Sequence, residues 1–414
     1  MSPRSRLLPA ALAVAAAATA AAAAVQAVHA APAAPGTWLQ PAHDAAQTWT
    51  NPQETTLSAG NVKRLRLVVT QQVGRFWVGP TTQSGGQLID CNDATGLSAI
   101  DMASGTPSWA RFDFGGNGAN CQAAALDAAT AYVSALGWAQ QPWTVTLTAV
   151  DRGTGQTRWQ VQGPSDRPGN ASWLGFNQPV LDKGAIYVTH QRSLVAAYDA
   201  ATGAPRWQVE TGLLNNTAAV AGGLVFTTTW GESPDGVNAL FAHRAADGTL
   251  AWRQPLDTSH AEYPAVVAGG RVVAGSDSGW VRAFQATSGA PLWQVQLAGY
   301  VSAPPVLNAD AAYVNAGLHA VVALDAATGA TRWQATLPGT FKVASNLVLA
   351  NGVLYFTAMD GGGAHHLTAL EAATGRRLAQ PPDQVDGSYA NVAVAGGRVF
   401  VSDTYGRVRV FALP

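Results

Sequence analysis

The chain has 414 residues, a formal net charge of −1 and 12% charged residues, about half the usual share of roughly 25%. Near-neutrality removes the electrostatic case for nucleic acid or an anionic membrane surface, and 48% hydrophobic content excludes a disordered chain. Only three lysines occur, Lys63, Lys183 and Lys342, which leaves few candidates for a lysine nucleophile.

In chain order, Arg4 and Arg6 precede an alanine-dominated apolar run that ends in Val28-x-Ala30. A basic start, an apolar middle and a small-residue exit describe a secretory signal peptide over residues 1–30. The rival reading is a retained anchor, because the run is long enough to span a membrane; the weak apolarity of alanine and the exit favour removal. Ser5 separates the two arginines, so there is no twin-arginine pair, and no cysteine lies near the exit to carry a lipid. Residues 31–45, rich in Pro and Ala, read as an extended lead-in. No later change of composition occurs, so residues 46–414 are expected to form one periplasmic or secreted domain with no membrane span after signal removal. Export makes the two cysteines interpretable: Cys91 and Cys121 are expected to pair as a disulfide.

Beyond the lead-in the chain repeats. The pattern A-x-D-x-x-T-G-x-x-x-W is complete at 149–159, 197–207 and 323–333. Near copies stand at 99–109, 242–252 and 283–293, and at 369–379 the Trp is lost to Ala379. A period this regular sets the architecture. Between hits, runs of four to six β-favouring residues are split by Ala-Gly-Gly, Asp-Ser-Gly and Thr-Ser-Gly turn signals, as in residues 263–297. Each unit therefore reads as four short antiparallel strands, A to D, which cannot be stable alone.

The motif residues have physical tasks. The Asp accepts from turn amides and the Gly supplies a positive φ between strands C and D. The small Ala leaves room for an indole from the next sheet. Trp109, Trp159, Trp207, Trp252, Trp293 and Trp333 each offer a large apolar face and an N–H that needs an acceptor; they read as staples between sheets, not as cofactor-stacking rings. Residues 389–414 supply strands A, B and C with no D, while Leu65–Thr70 looks like an orphan D strand. Seven whole units and one shared by the two ends predict an all-β, eight-bladed β-propeller closed by its N-terminal strand.

These residues resemble the tryptophan-docking repeat of pyrroloquinoline-quinone-type propellers, over roughly residues 46–414. The opening "LSAGNVKRLRLVV" is also similar to the start of such proteins, with Val69 where they often carry a further Trp. One branch of the family implies a quinone-dependent alcohol or sugar dehydrogenase with pyrroloquinoline quinone and calcium at the ring mouth. The other implies a non-catalytic docking platform, as in the propeller component of the outer-membrane β-barrel assembly machinery. Many alcohol-oxidising members carry adjacent cysteines, whereas Cys91 and Cys121 lie thirty apart.

Four further features invite chemistry. Glu232 and Asp235 share a polar insertion, 229–236, where two carboxylates could bind a cation or act as an acid/base pair. His365 and His366 head a strand, where adjacent side chains point to opposite faces and cannot easily share a metal. The first blade is the least regular, and Trp138 and Trp143 mark a loop that could anchor a partner or a sugar ring. No nucleophile elbow, H-E-x-x-H, phosphate loop or C-x-x-C occurs. The expectation is a monomeric interaction or scaffold module with a protein partner in the cell envelope, no catalysis of its own and no cofactor. The quinoprotein dehydrogenase is the alternative.

Overall fold

The computed structural model describes the chain from Gly36 to Pro414, except residues 74–80, 93–95, 103, 112–119, 122–123, 138–143, 164–176, 191–192, 213, 231–236, 257–262, 381–383 and 386–390. Among the described residues, apart from one 3-10 turn, Val62–Arg64, the regular structure is β. No described helix is long and apolar enough to cross a membrane.

Eight antiparallel sheets follow one another along the chain, each built on strands A to D. Blades 1 to 7 span residues 82–111, 120–162, 180–210, 214–255, 266–296, 306–336 and 342–385. Blade 8 takes A, B and C from Asn391–Ala395, Arg398–Ser402 and Arg407–Ala412, and D from Arg66–Gln72. Arg66 lies opposite Ala412 and Gln72 opposite Arg407, so the two ends of the propeller sequence pair in one sheet. Strands A of successive blades touch one another, which places them innermost. Strands B and C run apolar and buried, while strand D alternates exposed and half-buried residues at the rim, as in Thr331–Thr336.

Each C–D turn is locked by its own side chains. Asp199 Oδ1 accepts from the amides of Ala201 and Thr202 and from the Thr202 hydroxyl. Arg206 and Thr202 hold the Asp199 carboxyl down to about 2. The motif alanine, read from sequence as room for an indole of the next sheet, makes its room within its own blade. Ala149, Ala197, Ala242 and Ala323 lie opposite the indole of their own strand D. Across that small residue Tyr132, Tyr187, Phe226 and Tyr313 meet the indoles at centroid distances of 5.8–6.0 Å.

The indole then reaches into the next blade. Trp159 lies over Gly203, and its Nε1–H donates to the Ala200 carbonyl at 2.9 Å. Trp109, Trp207, Trp252, Trp293 and Trp333 repeat this on Gly155, Gly248, Gly289, Gly329 and Gly375, with N–H to carbonyl distances of 2.8–3.0 Å. Strand D of blade 8 is Arg66–Gln72, from the other end of the propeller sequence, so no C–D turn joins it to strand C. Ala379 therefore faces a neighbour with no glycine on which an indole could dock.

The lead-in is not a separate tail. Residues 36–54 run around the inner edge of the ring and touch all eight blades. Trp38 exchanges backbone hydrogen bonds with Gln83 of blade 1, both at 2.8 Å. The N–H groups of Leu126, Val220, Val267, Leu307 and Leu349 donate to the carbonyls of Leu39, Ala45, Ala46, Thr48 and Trp49. The Gln40 amide bonds both backbone groups of Leu181, and Asn51 Nδ2 donates to the Val394 carbonyl at 2.7 Å. The eight contacted residues are one position repeated, each paired with the strand-B residue five places later. This strap starts with Gly36 against Gly396 of blade 8 and ends with Glu54 accepting from the Gly397 amide, so it makes one full circuit. Trp38 and Ala42 are fully buried, and protein fills this end of the channel.

Two neighbours in the strap oppose each other in pH. Burial holds His43 down to about 4, and neither of its ring nitrogens has a hydrogen-bond partner. Desolvation by the surrounding protein pushes the Asp44 carboxyl up to about 6, against the lowering effect of its Thr48 hydrogen bonds. Between pH 4 and 6.5 the unfolded chain binds a proton that folded His43 refuses, so this group adds stability as pH rises. Folded Asp44 keeps its proton from 3.8 to about 6, so its contribution falls over that window. His43→Asn, which suits the φ of 77°, is expected to leave the Asp44 slope unopposed. Its melting temperature should then fall relative to that of the wild type as pH rises from 4 to 6.

Candidate functional site

The end of the ring opposite the strap is framed by the B–C turns and by the connections from D to the next A. Near this mouth a belt of polar side chains ties blade to blade. The last residues of strand B donate to carbonyls just before strand A of the following blade. Ser134 Oγ reaches the Asn177 carbonyl at 3.0 Å, Thr189 Oγ1 that of Asn216 at 2.8 Å, and Thr228 Oγ1 that of Tyr263 at 2.7 Å. Asn315 Nδ2 makes the matching bond to Ser345 at 3.4 Å.

In blade 1 the same position is Cys91. It forms a disulfide with Cys121 at the entry to blade 2, so a covalent bridge takes the place of the belt's hydrogen bond. Replacing both cysteines with serine is expected to cost about 2–4 kcal/mol, read by denaturant unfolding; an unchanged midpoint would make the bridge energetically idle.

The mouth carries exposed aromatics. Tyr300, between blades 5 and 6, and Tyr405, in the B–C turn of blade 8, are 41% and 52% exposed. The Arg407 guanidinium lies 5.3 Å from the Tyr405 ring, and that of Arg282 lies 5.1 Å from the ring of Trp280. Aromatic and arginine side chains of this kind concentrate binding energy at protein interfaces. Beneath Tyr405, the buried Asp403 pairs with Arg409 and Arg407 and accepts from the turn amides of Tyr405 and Arg407. That network fixes the turn and leaves the tyrosine outside.

Residues singled out from sequence fare differently. His365 is buried, and His366 bonds Asp360 at 3.1 Å beside the Phe341 ring, so the two serve separate environments. Glu232, Asp235, Trp138 and Trp143 lie outside the described residues. Tyr300 and Tyr405 were not legible as a site, because the turns that carry them are about a hundred residues apart in sequence.

Among the described residues no three His, Cys, Asp or Glu side chains converge to hold a metal ion. The two cysteines bridge blades instead of lying side by side.

The chain matches the family described as outer membrane protein assembly factor BamB over residues 41–233 and 277–413. It belongs to that family. The BamB of Moranella endobia is 25% identical over 260 residues, covering 58% of this chain and 65% of the relative, so the match spans less than two thirds of that protein's own length. The structure of BamB from Moraxella catarrhalis superposes with a TM-score of 0.62 at 17% identity, covering 84% of this chain and 99% of that one. The quinohemoprotein alcohol dehydrogenase of Comamonas testosteroni reaches 0.71 at 14% identity, covering 92% and 81%. At such identities the two structures share the fold with this BamB-family ring and nothing finer.

Proposed function

We propose that the protein is an exported, periplasm-facing propeller that works as a monomeric docking platform in outer-membrane protein assembly, without catalysis of its own and without a cofactor. The observation that carries this reading is the BamB-family match along most of the ring. The geometry agrees with it. One end of the channel is filled by the strap, and the other presents the exposed Tyr300 and, beside Arg407 on a turn fixed by Asp403, Tyr405. The signal segment is removed on this reading, and the ring acts free of the membrane.

The test adds the purified protein to proteoliposomes that hold an outer-membrane assembly complex lacking its own propeller subunit. Co-sedimentation and faster folding of an outer-membrane barrel substrate are expected. Tyr300→Ala with Tyr405→Ala should weaken association at least about tenfold, a loss of ~1.4 kcal/mol, with an unchanged melting temperature. A second arm adds pyrroloquinoline quinone with calcium, for which no thermal shift is expected. A stabilisation of about 2.7 kcal/mol, as from a ligand at 100 times its Kd, together with no association, would overturn the proposal in favour of the dehydrogenase reading.

A further inference from the structure

The foot of the ring, the end that the strap fills, has one corner unlike the rest. In blades 2, 3 and 6 the arginine before the docking Trp is matched within its own blade. Arg158 pairs with Asp151 at 2.7 Å, and Arg206 with Asp199 and Arg332 with Asp325 at 2.8 Å. At blades 7 and 8 the matching fails. The turn Val62–Arg64 packs against strand D of blade 7, Arg377–Ala379, which sets Lys63 and Arg64 near Arg377. Arg66 follows at the start of strand D of blade 8, and Arg398 starts strand B of the same sheet. All five are exposed, and none pairs with a described carboxylate. The acids of this corner are already engaged. Glu371 holds Arg376 and the Thr374 hydroxyl, and the buried Glu54 accepts from the amides of Thr56, Leu57 and Gly397.

One place in the corner is specific. Ala412 lies opposite Arg398 on one side and opposite Arg66 on the other. Residues directly opposite share a face of the sheet, so the two arginines rise on either side of a methyl group, about 10 Å apart at their backbones. Ala412 holds the position that Asp151, Asp199 and Asp325 hold in blades 2, 3 and 6, two residues beyond the strand-C residue opposite the strand-B aromatic. Blade 8 thus keeps arginines and lacks the carboxylate. Arg66 Nη1 donates to the Leu65 carbonyl at 2.7 Å, which leaves its remaining N–H groups to be met.

We propose that this corner binds an acidic segment of a partner protein, with one Asp or Glu carboxylate seated over Ala412 between Arg66 and Arg398. Neighbouring acids of the segment are drawn to Lys63, Arg64 and Arg377. Charge complementarity selects this occupant: five exposed cations stand without an unengaged acid on a chain whose net charge is −1. The planar guanidinium fork suits a carboxylate, and the ring displays that pair three times at 2.7–2.8 Å. Surface-lying membrane elements combine basic residues with aromatic ones, whereas the exposed Tyr300 and Tyr405 stand at the opposite end of the ring. A protein segment is therefore the better fit than a lipid surface. The corner lies away from the mouth, and the inference does not rest on the outer-membrane reading.

Fluorescence anisotropy of a labelled acetyl-(Glu-Gly)4-amide peptide, titrated with the full chain at low salt, tests the proposal. Saturable binding is expected, weakening as salt rises, and the (Gln-Gly)4 peptide should bind at least about tenfold more weakly. Ala412→Asp supplies the carboxylate from within and should weaken binding at least about tenfold. Arg158→Gln changes the net charge by the same amount at a paired site and should bind as the wild type does. Arg66→Gln with Arg398→Gln should likewise lose binding, whereas Arg158→Gln with Arg206→Gln, equal in charge, should keep it. Absent saturable binding, or equal weakening within either charge-matched comparison, overturns the proposal. So does capture by phosphatidylglycerol vesicles that saturating peptide fails to displace, which would make the corner a lipid contact. Should Ala412→Asp fail to fold, the two double variants decide.

Discussion

Trp38→Ala is expected to destabilise the protein by about 3–5 kcal/mol, the usual range for truncating a buried tryptophan. Trp38 is fully buried, its Nε1–H donates to the Pro41 carbonyl at 3.1 Å, and its backbone pairs both ways with Gln83. Truncation opens a cavity in the middle of the ring and strips the edge of His43, whose centroid lies 5.0 Å from the indole. Denaturant unfolding reads the loss. A change below about 1 kcal/mol would mean that the strap merely lies on the ring and does not bind it.

Trp207→Ala should cost a similar amount, about 3–5 kcal/mol, by uncoupling blade 3 from blade 4. The indole is 9% exposed and bonded to the Ala245 carbonyl at 2.9 Å. Its partner glycine gives a cleaner measure. A Cβ at Gly248, where φ is 75°, would stand 2.7 Å from Trp207 Cε3. Gly184 has a φ of 73° and nothing within 4 Å. Alanine carries the same left-handed penalty at both sites, about 1–2 kcal/mol, so Gly248→Ala should exceed Gly184→Ala by the overpacking cost alone, about 1–3 kcal/mol. In the Trp207→Ala background that excess should vanish. If it persists, the indole is not what the glycine accommodates.

The architecture was legible because its signal is local and repeated. An Asp, a Gly and a Trp at fixed spacing each answer a need of one turn, and the turn recurs along the chain. The closure through Leu65–Thr70 was legible as a strand without a sheet, and Arg66–Gln72 fills that place. The loss of Trp at Ala379 has a structural counterpart: strand D of the next blade comes from Arg66–Gln72, so no C–D turn is there to receive an indole. The strap was not legible. Its contacts fall on successive blades at irregular intervals along 38–51 and run mostly through backbone carbonyls, so no side-chain period marks them. Its sharp bends instead need left-handed residues at His43, Gln47 and Trp49, which sequence does not announce. The polar belt left a faint trace, a Ser, Thr or Asn two places after the strand-B aromatic in Ser134, Thr189, Thr228 and Asn315. That trace also explains Cys91, which holds the same place in a blade whose neighbour offers a second thiol. The mouth was hardest to see, since Tyr300 and Tyr405 stand on separate blades and share one end of the ring only after the sheets have closed.

The circuit of residues 36–54 fixes the order in which this protein can acquire its final form. This stretch emerges from the ribosome, and crosses any export channel, before every partner it will hold, and its last contacts are with Val394 and Gly397. Its contacts follow the order of the blades, so early blades can take up strap residues as they form, but the circuit closes only once blade 8 exists. Contacts that span more than three hundred residues carry a heavy loop-closure penalty and slow the final step.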